Sequence, residues 1–537
     1  MDIKAIVLFA YMGILFLIGL LSSKKVTNTS DFYVGGKKLG YWVAALSARA
    51  TGESGWLLLG LTGMGALMGL KAFWVVLGEV LGVTLCWLLM AKKFKWLTDH
   101  FNSITVPDYL SSRFKTSSHK LRLIAALVLC TFLTIYISAQ IDATGSAFET
   151  FFGWNYFTGA IVGFGIVVAY IYFGGFVAVA WSDLFQGIMM FAGLVILPIV
   201  GYFSFSNAFE AGTLLTTLHS IEPALTSFWG EGGVTLMNLM GIIGFLMIGA
   251  GFLGSPQIFV RFISVKNQDE IKKGTVVAIL FTIITDSAAV LAGMVGRALL
   301  TTSSQNVETV LGNGAQNVLP LMVESLFPVV IVGFFIAVVL SAIMSTVDSL
   351  LVVASSAVTK DIYEDVLESK KSPEAMTTLS RRVTVALALA SLAIALTVAV
   401  LSPTRTIFWF VMFGWSGIAA SFCPMIILSL SWNKFTENGA LASMITGFLS
   451  IPFFSFIVPK LAVVGPYFSQ LSALPPSIFL AIIMGIVVSL RWPNKALSDY
   501  MHNLSITYKN DLKTNAKVLA IDSVQIKKEE HSNIRTG

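Results

Sequence analysis

Residues 40–69 read GYWVAALSARATGESGWLLLGLTGMGALMG, an apolar stretch interrupted halfway by small and polar residues. About 20 apolar residues suffice for a helix to cross a bilayer, so the stretch predicts a transmembrane span. Arg49 and Glu53 lie four residues apart, on one helical face, where they can pair. With Gly52 and Gly55 beside them, the segment indicates a discontinuous helix whose freed carbonyls bind ions or substrate near the midplane. The alternative is a kink packed against a neighbouring helix.

The rest of the chain repeats this apolar pattern. Of its 537 residues, 56% are hydrophobic and only 12% are charged, which is half the charge of a soluble domain. The sequence therefore predicts an all-α polytopic membrane protein with about 13 spans. The candidate spans are approximately 4–22, 40–69, 71–91, 121–148, 157–174, 177–203, 236–261, 274–299, 327–357, 379–401, 406–430, 439–457 and 474–491.

The distribution of lysine and arginine predicts the orientation in the membrane. Basic residues cluster in the loops after the first, third, seventh and ninth spans, whereas residues 204–235 contain none. Because basic loops stay on the cytoplasmic side, we expect the N-terminus outside and the C-terminus in the cytoplasm of a cell (inner) membrane protein. Charge confined to short loops also argues against binding to nucleic acid.

A second polar cluster lies in the ninth span. Ser345, Asp348 and Ser349 have the i, i+3, i+4 spacing that places their oxygens on one helical face. One turn earlier, Ala342 offers its backbone carbonyl. A hard monovalent cation prefers such an all-oxygen environment, so the cluster predicts a cation site. Hydrogen bonding between helices by the hydroxyl groups is the alternative.

Three more carboxylates lie within predicted spans, where a charge is costly. Asp183 follows Gly174-Gly175 at the start of the sixth span, where it either caps the helix or supplies an acidic ligand. For Asp142 and Asp286, structural pairing and a functional role are equally open. All five histidines lie in loops or in the tail, so the sequence predicts no catalytic constellation in the membrane and no enzyme.

Several motifs at matching spacings resemble the solute:sodium symporter family, and most closely its sodium/proline symporters. They are YVGG at 33–36 after Asp31, SGWLL at 54–58, VPDY at 106–109, TIY at 134–136, GGF at 174–176, GSP at 254–256 with RF at 261–262, and MST at 344–346. The resemblance covers roughly residues 5–490 and implies a transporter domain over 1–491. The basic remainder, 492–537, is predicted to be a disordered or loosely helical cytoplasmic tail.

The resemblance implies a LeuT-type fold of two inverted five-helix repeats, about 40–203 and 236–430, with sites between the broken helices. The implied sodium site comprises the backbone carbonyls of Ala50, Glu53 and Ala342 with the hydroxyls of Ser345 and Thr346. A second sodium site, found in part of the family, would comprise Asp183, Ser345, Asp348 and Ser349. The implied substrate-binding residues are Trp56, Gly60, Tyr136, Ile248, Phe252, Ser255 and Pro256.

The substrate wall departs from the proline pattern of the family. Gly52 stands where the family has a functional aspartate, and Arg49 stands where a small residue is usual. Ile248 replaces an aromatic residue, and Phe252 keeps a ring but lacks its hydroxyl. Either Glu53 replaces the missing carboxylate in coupling, or it forms a gate with Arg49.

The resemblance implies a sodium-coupled symporter that imports a small amino acid, first of all proline, by alternating access. The alternative is symport of another small solute, such as a different amino acid, pantothenate or an organic anion. Sodium is the only ion or cofactor implied. The expected partners are this ion, the solute and membrane lipid, without nucleic acid or an obligatory protein partner. A channel and a sensor without transport are the rival classes.

Overall fold

The computed structural model describes residues 3–23, 29–116, 118–208, 213–369 and 371–514, and within these ranges the fold is all-helical. The helices are α1 (Ile3–Ser23), α2 (Thr29–Val34), α3 (Tyr41–Gly55), α4 (Thr62–Met68), α5 (Phe73–Leu85), α6 (Ala91–His100), α7 (Val106–Phe114), α8 (Lys120–Phe152), α9 (Tyr156–Ala208), α10 (Leu214–Ile221), α11 (Leu236–Ile248), α12 (Pro256–Ser264), α13 (Gln268–Leu300), α14 (Val307–Leu311), α15 (Val318–Leu326), α16 (Val329–Ser356), α17 (Pro373–Leu401), α18 (Ile407–Ser431), α19 (Glu437–Pro452), α20 (Gly465–Leu471) and α21 (Leu474–Arg491).

Eleven of the described helical segments are long and apolar enough to cross a membrane. One of them, Tyr41–His100, covers two predicted spans, and the fifth predicted span corresponds to the shorter apolar helix Tyr156–Val168. Gly69, at φ +56°, separates α4 from α5. A Cβ atom there would lie 1.9 Å from the carbonyl oxygen of Leu225, so only glycine fits this turn.

Two helices form the centre of the bundle. α16 packs against α1, α3, α8 and α9, and α18 packs against α8, α19 and α21. Their side chains are mostly buried, whereas α1 and α17 expose most of theirs, as lipid-facing helices do. Polar groups on α16 are therefore removed from lipid and must find their partners within the protein.

The helical conformation is interrupted in α9 at Gly175 (φ 59°, ψ −176°) and in two segments close to the implied sites. In the α3 segment, Ser54 leaves the helical conformation (φ 45°, ψ −172°). Beyond α11, the 3₁₀ turn Gly249–Leu253 is followed by the non-helical Gly254 and the extended Ser255 before α12 begins. Glycines in both segments predict these interruptions, but in α3 the residue that breaks the helix is a serine and neither Gly52 nor Gly55.

Residues 495–514, within the tail predicted to be disordered or loosely helical, form a helix. Leu497, Met501 and Leu504, at i, i+4 and i+7, are buried on one face. The indole N–H of Trp96 donates a hydrogen bond of 3.0 Å to Asp511. This helix therefore packs on the body of the protein near α6. Residues 515–537 lie outside the described part of the chain.

Candidate functional site

The break in α3 is held by polar side chains of α8. The Tyr136 hydroxyl and the Gln140 amide N–H donate to Ser54 Oγ at 3.2 and 3.3 Å. The Gln140 amide oxygen accepts the backbone N–H of Gly55 at 2.9 Å. A backbone group freed at membrane depth needs a partner within the protein, and these two residues supply it. Tyr136 belongs to the predicted substrate set, whereas sequence reasoning missed Gln140.

Hydroxyl groups of α16 contact α3 immediately before this break. Ser345 Oγ lies 3.0 Å from the Ala50 carbonyl oxygen and 3.2 Å from that of Ala342. Thr346 Oγ1 lies 3.1 Å from the Thr51 carbonyl oxygen and 3.2 Å from that of Ala342. The structure thus brings together four of the five residues of the implied sodium site, in a buried cluster of carbonyl and hydroxyl oxygens.

The fifth residue of that set, Glu53, is engaged elsewhere. Its backbone carbonyl accepts the N–H of Trp56, because α3 is still helical at Glu53. The carbonyl that joins the α16 hydroxyls in its place is that of Thr51. The Thr51 side chain also contacts Ser349 Oγ at 2.9 Å, so Thr51 connects this oxygen cluster with the next one along α16.

The residues implied as a second sodium site lie around a guanidinium group. Arg261 Nη2 is 3.0 Å from Asp183 Oδ2 and also donates to Ser349 Oγ. Ser349 Oγ in turn lies 3.3 Å from Asp348 Oδ1. All of these side chains are buried. Asp183 is therefore an interior residue and does not cap a helix at the interface, and a cationic side chain of the protein contacts this set. Sequence reasoning quoted Arg261 in a motif but did not predict this role.

Trp415 of α18 is not in the implied substrate set, but it contacts three members of that set. Its indole N–H donates to the Ile248 carbonyl at 3.0 Å. Its ring centroid lies 5.1 Å from that of Phe252 and 6.4 Å from that of Tyr136. A Cβ atom on Gly251 would lie 2.3 Å from the indole, so glycine allows the tryptophan to approach the broken segment. Nothing in its own sequence distinguishes Trp415 from other buried aromatics.

The remaining residues of the implied substrate set are distributed around this group. Trp56 packs edge-on against Phe408, with ring centroids 6.2 Å apart, and Gly60 faces the same residue. Ser255 Oγ donates to the carbonyl four residues earlier at 2.6 Å, which stabilises the break before α12. Pro256 lies apart, because it lines a separate cavity of about 20 Å³.

The glycine at position 52 has a structural explanation. A Cβ atom on Gly52 would lie 2.7 Å from the ring edge of Phe252. The phenylalanine thus occupies the space that a side chain at position 52 would need. Gly52 and the Phe252 ring are therefore packed directly against each other, although they are 200 residues apart in sequence.

Arg49 and Glu53 belong to a larger buried charged cluster. They form an ion pair, and Arg49 Nη2 is 3.8 Å from Glu79 Oε2. Glu53, Glu79 and Asp286 each place a carboxylate oxygen within 4.8 Å of the other two. The guanidinium lies over the Phe252 ring, 4.6 Å from its centroid. Sequence reasoning predicted the Arg49–Glu53 pair but placed neither Glu79 nor Asp286.

Asp142 has a structural pairing of its own. Arg405 Nε lies 2.9 Å from its Oδ1, and the Tyr156 hydroxyl donates to the same oxygen at 2.6 Å. Burial lowers the pKa of Arg405, but the hydrogen bonds and attraction from Asp142 exceed this effect and leave its pKa raised. Arg405 also lines a cavity of about 820 Å³. The same cavity is lined by Ile248, whose carbonyl accepts the Trp415 hydrogen bond.

The chain matches a known protein family in sequence. The sodium:solute symporter family model matches residues 32–447. The chain belongs to the sodium:solute symporter family. It is 36% identical over 438 residues to the high-affinity proline transporter PutP of Bacillus subtilis, covering 80% of this chain and 88% of that protein. It is 33% identical over 445 residues to the sodium/proline symporter of Salmonella typhimurium, covering 82% and 85% respectively.

A solved structure has the same fold. It is described as the substrate-bound outward-open state of a Na+-coupled sialic acid symporter, with a TM-score of 0.73 at 18% identity. The match covers 92% of this chain and 99% of that one. The predicted fold class, an all-α polytopic membrane protein of the LeuT type, is therefore confirmed, as is the family resemblance. The protein is a multi-pass membrane protein of a transporter family.

Proposed function

We propose that this protein is a sodium-coupled secondary active symporter that imports a small amino acid, first of all proline, across the cell membrane. The observation that carries the proposal is the contact of the α16 hydroxyls with carbonyls of α3 beside its break. Carbonyl and hydroxyl oxygens without thiol or imidazole suit a hard monovalent cation. The names of the Bacillus and Salmonella relatives support proline as the solute.

In this proposal, the two broken segments define the transport path. Ser345 and Thr346 bind sodium together with carbonyls of α3, and the ion thereby fixes α3 against α16. Tyr136 and Trp415 border the substrate next to the breaks. Alternating access then exposes this site first to the outside, through the 820 Å³ cavity, and afterwards to the cytoplasm. The N-terminus lies outside and the C-terminus inside.

The membrane supplies enough energy for such a cycle. One charge crossing about 100 mV contributes about 2.3 kcal/mol. A tenfold sodium gradient adds about 1.4 kcal/mol. One sodium ion per solute therefore supports accumulation of several hundredfold without ATP.

Uptake of radiolabelled proline into proteoliposomes tests the proposal. We expect an inward sodium gradient with a negative interior to drive accumulation, and choline in place of sodium to abolish it. Liposomes without protein are the control for leakage. Equal uptake from a proton gradient without sodium would contradict the sodium assignment. An absence of any gradient-driven uptake of a small solute would contradict the symport assignment.

A second candidate is symport of another small solute, such as a different amino acid, pantothenate or an organic anion. It is favoured by the altered wall, where Phe252 fills the space beside Gly52 and Ile248 replaces an aromatic ring. Competition of unlabelled solutes against proline uptake distinguishes the two candidates. If one of these solutes shows sodium-driven uptake while proline neither enters nor competes, the second candidate is correct.

A further inference from the structure

We propose that Glu53, Glu79 and Asp286, together with Arg49, form a further cation-binding site that takes up one sodium ion in each transport cycle. The inference rests on the proposed symport, and it adds a cation to the one between α3 and α16. This site lies on the side of α3 that faces α5 and α13.

Three helices converge on the cluster. Glu53 lies on α3, Glu79 on α5 and Asp286 on α13, and α13 packs against both α3 and α5. One carboxylate oxygen of each residue lies within 4.8 Å of the others, so a single small cation placed among them can contact all three. Carboxylate oxygens are hard ligands, and they suit a hard cation such as sodium better than a soft metal ion.

The charges of the cluster do not balance. Three carboxylates against one guanidinium leave two formal negative charges, and all four side chains are at most 1% exposed. Carboxylates this close cannot all stay ionised without a further positive charge, because burial removes the water that would screen them. A bound sodium ion supplies one positive charge and reduces the formal charge of the cluster from −2 to −1.

Unpartnered oxygen atoms point to the same conclusion independently of the spacing. Within the described residues, Glu53 Oε2, Glu79 Oε2 and Asp286 Oδ2 are buried and have no hydrogen-bond partner. Most buried polar atoms in folded proteins have at least one partner. Asp142, by contrast, is satisfied by Arg405 and by a tyrosine hydroxyl. Glu79 Oε2 has only the longer contact of 3.8 Å with Arg49, so all three oxygens can still accept a cation as ligands.

The cluster also contacts both broken segments, which connects its occupancy to transport. Glu53 lies on α3, next to Ser54 at the break. Arg49 lies over Phe252 in the 3₁₀ turn Gly249–Leu253. On α5, Gly82 packs so tightly on that turn that a Cβ atom would lie 1.9 Å from the Gly249 carbonyl oxygen. Binding or release of a cation among the carboxylates therefore acts on both breaks.

Equilibrium binding of radioactive sodium, ²²Na⁺, to the purified full-length protein without solute tests for sodium. The variants Asp286→Asn and Glu79→Gln each remove one negative charge with little change in shape. Asp361→Asn is the matched control, because Asp361 is equally buried but hydrogen-bonded to Thr105 outside the cluster. If the cluster binds sodium, both cluster variants bind one sodium ion fewer per chain than the wild type and the control.

Two controls make this measurement interpretable. Thermal melting of each variant establishes that it is folded. Asp286→Glu keeps the carboxylate, so it should bind as many sodium ions per chain as the wild type.

Two results overturn the proposal. The first is sodium binding by folded cluster variants equal to that of the wild type. The second is a wild type that binds only one sodium ion per chain, which decides the question even if the variants do not fold. Because sodium binding is measured without solute, a failure of solute uptake alone leaves this test readable.

Discussion

Ser345→Ala removes a hydroxyl that lies 3.0 Å from the Ala50 carbonyl oxygen and 3.2 Å from the Ala342 carbonyl oxygen. The side chain is fully buried, so water cannot take the place of the lost oxygen in the existing packing. A hydrogen bond or dipole contact with a charged group contributes about 1.5–3 kcal/mol. The sodium concentration for half-maximal uptake should therefore rise about 10- to 150-fold. Adding Thr346→Ala raises it further, although the two effects are not additive between neighbours.

The assay is proline uptake into proteoliposomes as a function of external sodium at fixed membrane potential. Ser341→Ala is the matched control, because Ser341 lies one turn earlier on α16 but donates to the Tyr11 hydroxyl at 2.9 Å and does not contact α3. We expect this control to keep the wild-type sodium dependence. An unchanged sodium dependence in folded Ser345→Ala, Thr346→Ala protein would refute the reasoning, since the ion would then bind elsewhere.

Three further predictions concern packing and pairing. Gly52→Ala places a Cβ atom 2.7 Å from the Phe252 ring, so it should cost about 1–3 kcal/mol of stability, and it should lower the melting temperature less in a Phe252→Ala background, where the ring is absent. Arg405→Gln leaves the Asp142 carboxylate without its cation and should cost at most about 3 kcal/mol; a double variant with Asp142→Asn that melts no higher would contradict this pairing. Met501→Asp places a charge in the buried face of helix 495–514 and should speed its cleavage by trypsin, and cleavage at the wild-type rate would mean that this helix is not held by packing.

Much of the fold could be predicted from the sequence, because a membrane helix is defined by a local property. Each apolar run of about 20 residues predicts one span. The position of a break within a helix also depends on residues that are distant in sequence. Gly52 and Gly55 predicted an interruption of α3, but the helix breaks at Ser54. There Tyr136 and Gln140 of α8 hydrogen-bond the Ser54 hydroxyl, and Gln140 also accepts the next backbone N–H. A serine with positive φ depends on such partners, which one segment of sequence does not reveal.

The candidate site divides in the same way. The hydroxyl-rich face of α16 was predictable from helical periodicity, and four of the five implied sodium-site residues meet as expected. The roles of Arg261 and Trp415 were not predictable, because their partners are far away in sequence. Charge alone also could not locate Asp286. Its neighbours Glu53 and Glu79 come from two other helices, which only the packing of the bundle brings together.

Helical periodicity gives α3 a distinct role on each of two sides. Ser47 and Thr51, four residues apart, contact Asp183 and α16, whereas Arg49 and Glu53, also four residues apart, contact the carboxylates on α5 and α13. One rigid stretch of α3 carries both sets of contacts. Any tilt or rotation of α3 that separates Thr51 from α16 therefore also changes the distance from Arg49 to α5. The oxygen cluster and the charged cluster are therefore mechanically connected without a contact between them. Such a connection allows ion binding on either side of α3 to be coupled to the same conformational change, as the proposed transport cycle requires.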